Sequence, residues 1–543
     1  MTDHPAIAQR ASLRRADWRF LLPNPPEGSF QHLVLLGGPA GLAKRIVEEG
    51  IARRVSCEIP KERSADAVAI LHNAQVILRD AAGCLMPGGA PYYEIYRRSP
   101  PSLTLTPGRI QRSLLEMELS PTGIYWVRPN FANYEIYLSL DAQRAIEWHL
   151  KTLFAAATPA RRFLEPVLRI LAWFGSRPLA LLASCYAVTA IAGSDRGIAP
   201  SVLGHSSLPR ELRRLDLRRV VLTSGHSERS RVIMFPFAPN ASQPAVVLKM
   251  PRRSDFNVDT EREHAVLTEL RSFIDEPMGR TIPQPIATLR NGELFVGIES
   301  YTSGRRLQSS TCRWQAPMYQ KIEDLRLATG WLCKFHQQAQ FSRDPWGTRE
   351  IACWVEAPLV AYSEIFGMAA NEKRLFGEVR KRAIALTGVP FPIVWHHDFS
   401  GPNIYRAGSE IKVVDWEHAG PGLALSDLLS FVTSWSFVAR GLRGDDEQLH
   451  GFRELFLEPI CCNKSVKAVR QAIRHYMRCL DIDHRFFPLL LVLTWVQDAL
   501  GQRAVGETGE DNRYSNMCVQ YIRILAEHTE RLFAESIIEP SII

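Results

Sequence analysis

Two short apolar runs in the last third of the chain, each ending in carboxylate or carboxamide side chains, constrain it most. The first reads Val394-Trp395-His396-His397-Asp398-Phe399-Ser400-Gly401-Pro402-Asn403-Ile404-Tyr405, and Val413-Val414-Asp415-Trp416-Glu417 follows soon after. The apolar flanks predict two short buried strands, and Ser-Gly-Pro between them predicts a tight loop. An isolated aspartate is usually a cap or a surface residue; three polar residues held on fixed backbone at this spacing form a set. A carboxylate beside an acceptor hydroxyl can orient it and take its proton. A carboxamide five residues later can return to a metal across the same loop, and a carboxylate on a rigid strand can grip a Mg²⁺ that bridges phosphates. These are the parts of phosphoryl transfer, in which the protein positions groups and neutralises charge.

At 543 residues the chain is too long for one core, so two or three domains are expected. Hydrophobic residues at 46% and charged residues at 22% suit a soluble globular protein. The net charge of +8 is spread along the chain, with no basic tail or aromatic-interleaved basic stripe, so no nucleic-acid partner is expected. The ten cysteines show no CxxC pair and no zinc-like Cys/His spacing, and no secretory signal opens the chain. Reduced thiols and a cytoplasmic location follow as expectations. Pro178–Gly193 is apolar but shorter than the roughly twenty residues a spanning helix needs. It reads as a buried helix end followed by a buried strand, without stable membrane insertion.

Two α/β patterns run in series. The first, 1–195, opens with the strand His32–Leu36, the turn Gly37-Gly38-Pro39-Ala40-Gly41 and a helix over Leu42–Glu49, the order in which a nucleotide-binding α/β domain begins. A buried strand at Ala67–Leu71, a Leu-Met-Pro-Gly-Gly turn at Leu85–Gly89 and a late strand at Cys185–Ile191 continue it. A Gly/Pro/Ser-containing stretch, 196–207, predicts a linker. The second pattern, 208–540, predicts a β-rich small lobe over 208–305 and a helical large lobe over 306–540. In the small lobe, strands are expected near Val220–Leu222, Arg231–Phe237, Pro244–Met250 and Leu294–Tyr301, with a helix over Asp259–Phe273.

With His396, Asp398 and Asn403 in the form H-x-D-x-x-x-x-N, then Asp415-Trp416-Glu417 and Asp427-Leu428-Leu429, the chain from Leu208 onward resembles the aminoglycoside phosphotransferase and choline kinase family. The resemblance implies a two-lobed, protein-kinase-like α+β fold that uses ATP and Mg²⁺. It implies Asp398 as catalytic base or hydroxyl-orienting group, His396 as a buttress of the loop, Asn403 and Asp415 as Mg²⁺ ligands, and Asp427 as a structural acid. His397 departs from the family, which has glycine there. Upstream, Lys249 ends the strand PAVVLK, where a kinase holds the α- and β-phosphates. Glu263 is its expected ion-pair partner, with Glu261 the competing choice. The loop bearing Ser224 and Gly225 would cover the phosphates, and the backbone of Glu299-Ser300-Tyr301 would meet adenine. His336, in L-x-x-x-H, reads as a core histidine.

Residues 1–195 resemble a class I methyltransferase fold through the strand and glycine turn Leu33–Gly41, the turn at Leu85–Gly89 and the strand Cys185–Ile191. They depart from it at Leu35, where those enzymes carry an acid, and at Pro39, where they carry glycine. A degenerate Rossmann-like scaffold is the expectation. The leading functional expectation is an ATP- and Mg²⁺-dependent kinase of a hydroxyl on a small molecule such as a sugar, amino alcohol or aminoglycoside-like compound. The alternatives are a nucleotide-binding regulatory protein with a kinase fold and a bifunctional methyltransferase-kinase. Neither the acceptor nor the oligomeric state is encoded legibly.

Overall fold

The computed structural model describes residues 12–23, 28–72, 74, 78–96, 107–131, 133–152, 170, 183, 185–193, 218–223, 225, 227–238, 240–312, 316–396, 398–458, 462–505 and 511–534. The chain divides into two compact units, Met1–His264 with Pro285–Tyr301, and Ala265–Gln284 with Thr302–Ile543.

The first unit is built on a twelve-stranded sheet. Its strands are β1 (Phe30–Leu36), β2 (Ala52–Ser56), β3 (Ala65–Ile70), β4 (Leu85–Tyr96), β5 (Leu119–Arg128), β6 (Ile136–Ser139), β7 (Cys185–Ala192), β8 (Arg218–Leu222), β9 (Val232–Phe237), β10 (Val247–Met250), β11 (Pro285–Asn291) and β12 (Leu294–Glu299). They lie in the order β11-β12-β10-β9-β8-β6-β5-β7-β4-β3-β1-β2. The block β2-β1-β3-β4 is parallel; every pairing from β4 to β7 onward is antiparallel. Nearly continuous apolar runs such as FQHLVLL and ADAVAI suit strands covered on both faces. Accordingly Leu33 and Leu35 enter one core cluster and Val34 and Leu36 the other.

The sequence reading separates 1–195 from 208–540, but the sheet runs through both. β6 pairs with β8, setting Ile136 opposite Leu222, Tyr137 opposite Val221 and Leu138 opposite Val220. The alternation matches across the pair: Tyr137 and Val221 enter one core, and Leu138 and Val220 the other. Two strand edges that would otherwise be open are thereby satisfied. The linker expected at 196–207 lies outside the described residues. The Leu85–Gly89 turn is drawn into β4 as its first residues. After β1, Gly37, Gly38 and Gly41 take φ of 81°, 97° and 83°, the left-handed region open to glycine. The helix α1 (Leu42–Glu48) follows. A Cβ on Gly38 would meet the side chains of Leu71 and Leu42, so the chain's own leucines require this glycine.

The chain passes from the first unit to the second within α2 (Asn257–Leu270). The second unit is mainly helical, with two three-stranded sheets. These are β13 (Arg305–Arg306) with β16 (Ile404–Ala407) and β17 (Glu410–Val413), and β14 (Gln340–Ser342) with β15 (Ile393–His396) and β18 (Gly420–Leu423). α3 (Met318–Gln338) buries Leu325, Ala328, Leu332 and Phe335 at three- and four-residue spacing, the stripe of an amphipathic helix. α4 (Ser426–Arg440) ends on Gly441 at φ 76°, and α5 (Lys464–Cys479) is capped by Asn463, whose side chain accepts from the Ser465 N–H. Of the apolar segment Pro178–Gly193, the described part is chiefly the buried strand β7. Among the described residues no helix is long and apolar enough to cross a membrane.

Candidate active site

In the first unit the candidate groups gather on Lys249, in β10. Lys249 is 5% exposed, and its Nζ lies 2.5 Å from Glu263 Oε1 and 3.0 Å from Glu299 Oε1. Helix phase decides between the competing glutamates. Two residues apart on α2 means nearly opposite sides, so Glu261 turns outward to Arg290 while Glu263 faces the sheet, where Arg231 also donates to it. Register explains Glu299: it pairs across from Val247, and Lys249 two residues on shares the same face. The Glu299 side chain is therefore committed inward. Burial, opposed by Lys249 and reinforced by Glu263, lifts its carboxyl to about 7. The Tyr301 hydroxyl accepts from the Trp148 indole at 2.8 Å.

Ser224 lies outside the described residues, but Gly225, Ser227 and Ser230 are held by a residue from beyond β10. Arg252, fully buried, donates from Nη1 to the carbonyls of Gly225 (2.8 Å), Ser227 (2.9 Å) and Ser230 (3.1 Å), and from Nη2 to Thr223 (3.2 Å). Its remaining donors grip Asp17, also fully buried, at 2.9–3.1 Å. Arg14 adds a bond to the Thr223 carbonyl at 3.2 Å. A Cβ on Gly225 would collide with Ser230, so the turn closes only on glycine. The sole sequence signal for Arg252 is its place just beyond the Lys249 strand; nothing local marks Asp17.

In the second unit the loop between β15 and β16 carries the acidic groups. Of His396 the backbone alone is described, paired with Gly420; His397 lies outside the described residues. Phe399 anchors the loop, buried and stacked on Trp331 with ring centroids 5.6 Å apart. Asn403 Nδ2 donates to both the backbone carbonyl and Oδ2 of Asp398 at 3.1 Å, so the amide presents Oδ1 as its remaining acceptor. The Val414 N–H donates to the Asn403 carbonyl at 3.0 Å, docking the stretch that bears Asp415 onto the same loop. Asp415 sits at φ 73°, a left-handed conformation that costs a non-glycine residue on the order of 1 kcal/mol and recurs at functional sites. The buried Trp416, whose indole donates to Val413 O at 3.2 Å, fixes the turn. Asp398 and Asn403 are thus bonded to each other, and Asp415 directly follows the residue docked on Asn403. Carboxylate and amide oxygens of this kind suit Mg²⁺, a hard cation usually taken by one or two carboxylates plus phosphates and water.

Behind the loop, His336 is 1% exposed. Its Nε2 lies 3.0 Å from Trp395 O and 3.5 Å from Asp427 Oδ2, and its Nδ1 lies 2.5 Å from the Tyr476 hydroxyl. It is a core histidine that ties α3 to β15, α4 and α5.

Residues 238–456 match the model of the phosphotransferase enzyme family. This stretch is a phosphotransferase-family domain. It takes in Lys249, Glu263, Asp398, Asn403, Asp415 and Asp427, and is narrower than the span from Leu208 expected above. Among solved structures, a choline kinase from Cryptosporidium parvum Iowa II is similar at 12% identity, covering 61% of this chain and 97% of that one, with a TM-score of 0.35. A glucosamine kinase in complex with glucosamine, ADP and inorganic phosphate gives 15%, 54% and 74%, with a TM-score of 0.34. An aminoglycoside phosphotransferase from Streptomyces rimosus gives 12%, 56% and 92%, with a TM-score of 0.28. A comparison with curated proteins finds no match. The methyltransferase resemblance of the N-terminal part receives no support from these comparisons.

Proposed function

We propose that the chain is an ATP- and Mg²⁺-dependent phosphotransferase acting on a hydroxyl of a small molecule. The observation that carries this reading is the Asp398–Asn403 pair with the Asp415 stretch docked on it, inside the matched phosphotransferase domain. Asp398 orients the acceptor hydroxyl and takes its proton. Asn403 Oδ1 and Asp415 are the residues to hold Mg²⁺, which supplies charge neutralisation on the phosphates when bound. Lys249, steadied by Glu263, grips the nucleotide phosphates, and the loop with Ser224 and Gly225 covers them. The backbone through Glu299–Tyr301 receives adenine, and His396 supports the loop from β15. The Glu299 side chain sets the charge around Lys249. For the segment before β8 we propose a scaffold role, since side chains of its own core occupy the space over Gly38.

Calorimetric titration of the whole protein with ATP, with and without Mg²⁺, tests the reading, beside the Asp415→Asn variant. Magnesium-dependent binding that the variant loses is the expected result, followed by ADP release with a panel of hydroxylated acceptors. Binding that ignores both the ion and the substitution would remove Asp415 from the metal site. ATP binding with no turnover on any acceptor would favour the regulatory alternative.

A further inference from the structure

Three soft donor side chains that phosphoryl transfer leaves unused converge in the second unit. α3 carries Cys333 one turn before its C-terminal His336, and α5 carries His475 and Cys479 four residues apart, so the latter two share a helix face. The two helices are locked against each other beside this point by the His336–Tyr476 bond and by Gln337 Nε2, which donates to the Cys479 carbonyl at 2.9 Å. As a result one ligand atom each from Cys333, His475 and Cys479 lies within 4.8 Å of the others. Cys479 Sγ is 3.5 Å from His475 Nε2 and 3.7 Å from Nδ1.

The Cys479–His475 separation is that of one edge of a tetrahedral ligand set, and Cys333 lies within 4.8 Å of both. With metal–sulfur bonds of about 2.3 Å and metal–nitrogen bonds of about 2.0–2.1 Å, the S···N edge of a zinc tetrahedron is roughly 3.5 Å and the S···S edge roughly 3.8 Å. Seating an ion calls for rotation of the exposed His475 ring and a closing of the ligand atoms from within 4.8 Å toward these edges. We propose that Cys333, His475 and Cys479 form a binding site for a thiophilic divalent cation of the Zn²⁺ type, its fourth position open to solvent on the His475 side. Cys333 is buried, Cys479 half-buried and His475 exposed, which gives the ion one dry wall and one entry. Two thiolates and an imidazole select against Mg²⁺, so this site and the phosphotransfer site draw on different ions. Burial, with Cys479 adding to it, holds the Cys333 thiol protonated, so uptake must expel protons to the solvent. The ion would bridge α3 and α5 next to His336, whose Nε2 reaches the Trp395 carbonyl just ahead of the Asp398 loop. Its role is structural, a clamp on the helix pair behind that loop, and it does not depend on the proposed reaction.

Titration of the reduced full-length protein with Co²⁺, a coloured stand-in for Zn²⁺, tests the site. The expected result is thiolate-to-cobalt charge transfer with tetrahedral ligand-field bands saturating at one ion per chain, erased by Zn²⁺. Zn²⁺ should also raise the melting temperature. Cys479→Ser and His475→Ala, both at the accessible edge, should each weaken Zn²⁺ affinity, measured against a chromophoric chelator, at least about tenfold. Cys353→Ser, at an exposed cysteine outside the cluster, should change nothing. No bands in the wild type, bands that survive both edge substitutions, or a Cys333–Cys479 disulfide forming without ion uptake overturns the proposal.

Discussion

Lys249 shares its ammonium between Glu263 and Glu299, and Arg231 shares Glu263, so a small change in proton count alters what charge remains for an anionic ligand. The Glu299 carboxyl titrates near 7 in the folded state against an ordinary value of 4.5. The native chain therefore binds that proton more tightly than the unfolded chain does. The corresponding stability is fully present below about pH 4.5 and drains away as pH rises through about 7. Glu299→Gln keeps the shape and stays neutral throughout. Urea unfolding of both proteins across this range should show the wild type losing ground to the variant as pH rises, by up to on the order of 3 kcal/mol. Parallel stability profiles would show that Glu299 titrates normally. Asp398 carries a separate prediction: Asp398→Asn keeps the bonds that accept from Asn403 but cannot accept a proton. Turnover of any acceptor found should fall at least about a hundredfold, with the ATP dissociation constant little changed. Near-normal turnover would dismiss the base role.

At the scale of elements, the loop between β8 and β9 is shaped less by its own sequence than by Arg252, which bonds the carbonyls of Thr223, Gly225, Ser227 and Ser230, and Arg252 is held in turn by Asp17. The bonded pair lies 235 residues apart. Removing one partner of a buried ion pair leaves the other charge uncompensated, at a cost of about 3–5 kcal/mol. Asp17→Asn should lower stability by that order. It should also speed amide exchange over 227–230 more than over β1 and β3, because the guanidinium that collects the loop carbonyls loses its anchor. Exchange that quickens uniformly would mean a global effect with no special hold on the loop. Such couplings mark the limit of legibility in the sequence. Lys249, Glu263, Asp398, Asn403 and Asp415 could be read because strand ends, helix phase and short loops are local patterns. β11 escaped notice because Thr288, Arg290 and Asn291 break its apolar run, and the Cys333–His475–Cys479 cluster because helix packing, not spacing, assembles it. Period-two and period-3.6 patterns tell which face of an element is buried; they do not tell which elements meet.

For the whole molecule the consequence falls on the first unit, where sequence punctuation near 196–207 suggests a cut and the sheet denies it. The strands β8, β9, β10, β11 and β12 carry Lys249 and Glu299, but they continue directly into β6, β5 and β7, and both core clusters cross that seam. A chain starting at 208 would expose the full edge of β8, including Val220 and Val221, which are wholly buried in the intact unit. It would also leave the Arg252 guanidinium without Asp17, its ion-pair partner in the intact unit. An open apolar strand edge is a template for aggregation, and the loop carbonyls that Arg252 collects would lose the anchor that Asp17 gives it. The fragment 208–543 is therefore expected to be insoluble, or to lack cooperative unfolding when refolded, whereas the full chain unfolds cooperatively. Supplying residues 1–207 as a separate polypeptide during refolding should restore a soluble complex through the β6–β8 pairing. A soluble 208–543 fragment with full ATP affinity would instead show that the phosphotransferase part folds independently and that the long sheet is an accretion upon it. In the expected case, the first two hundred residues are part of the fold on which the strands bearing Lys249 and Glu299 depend.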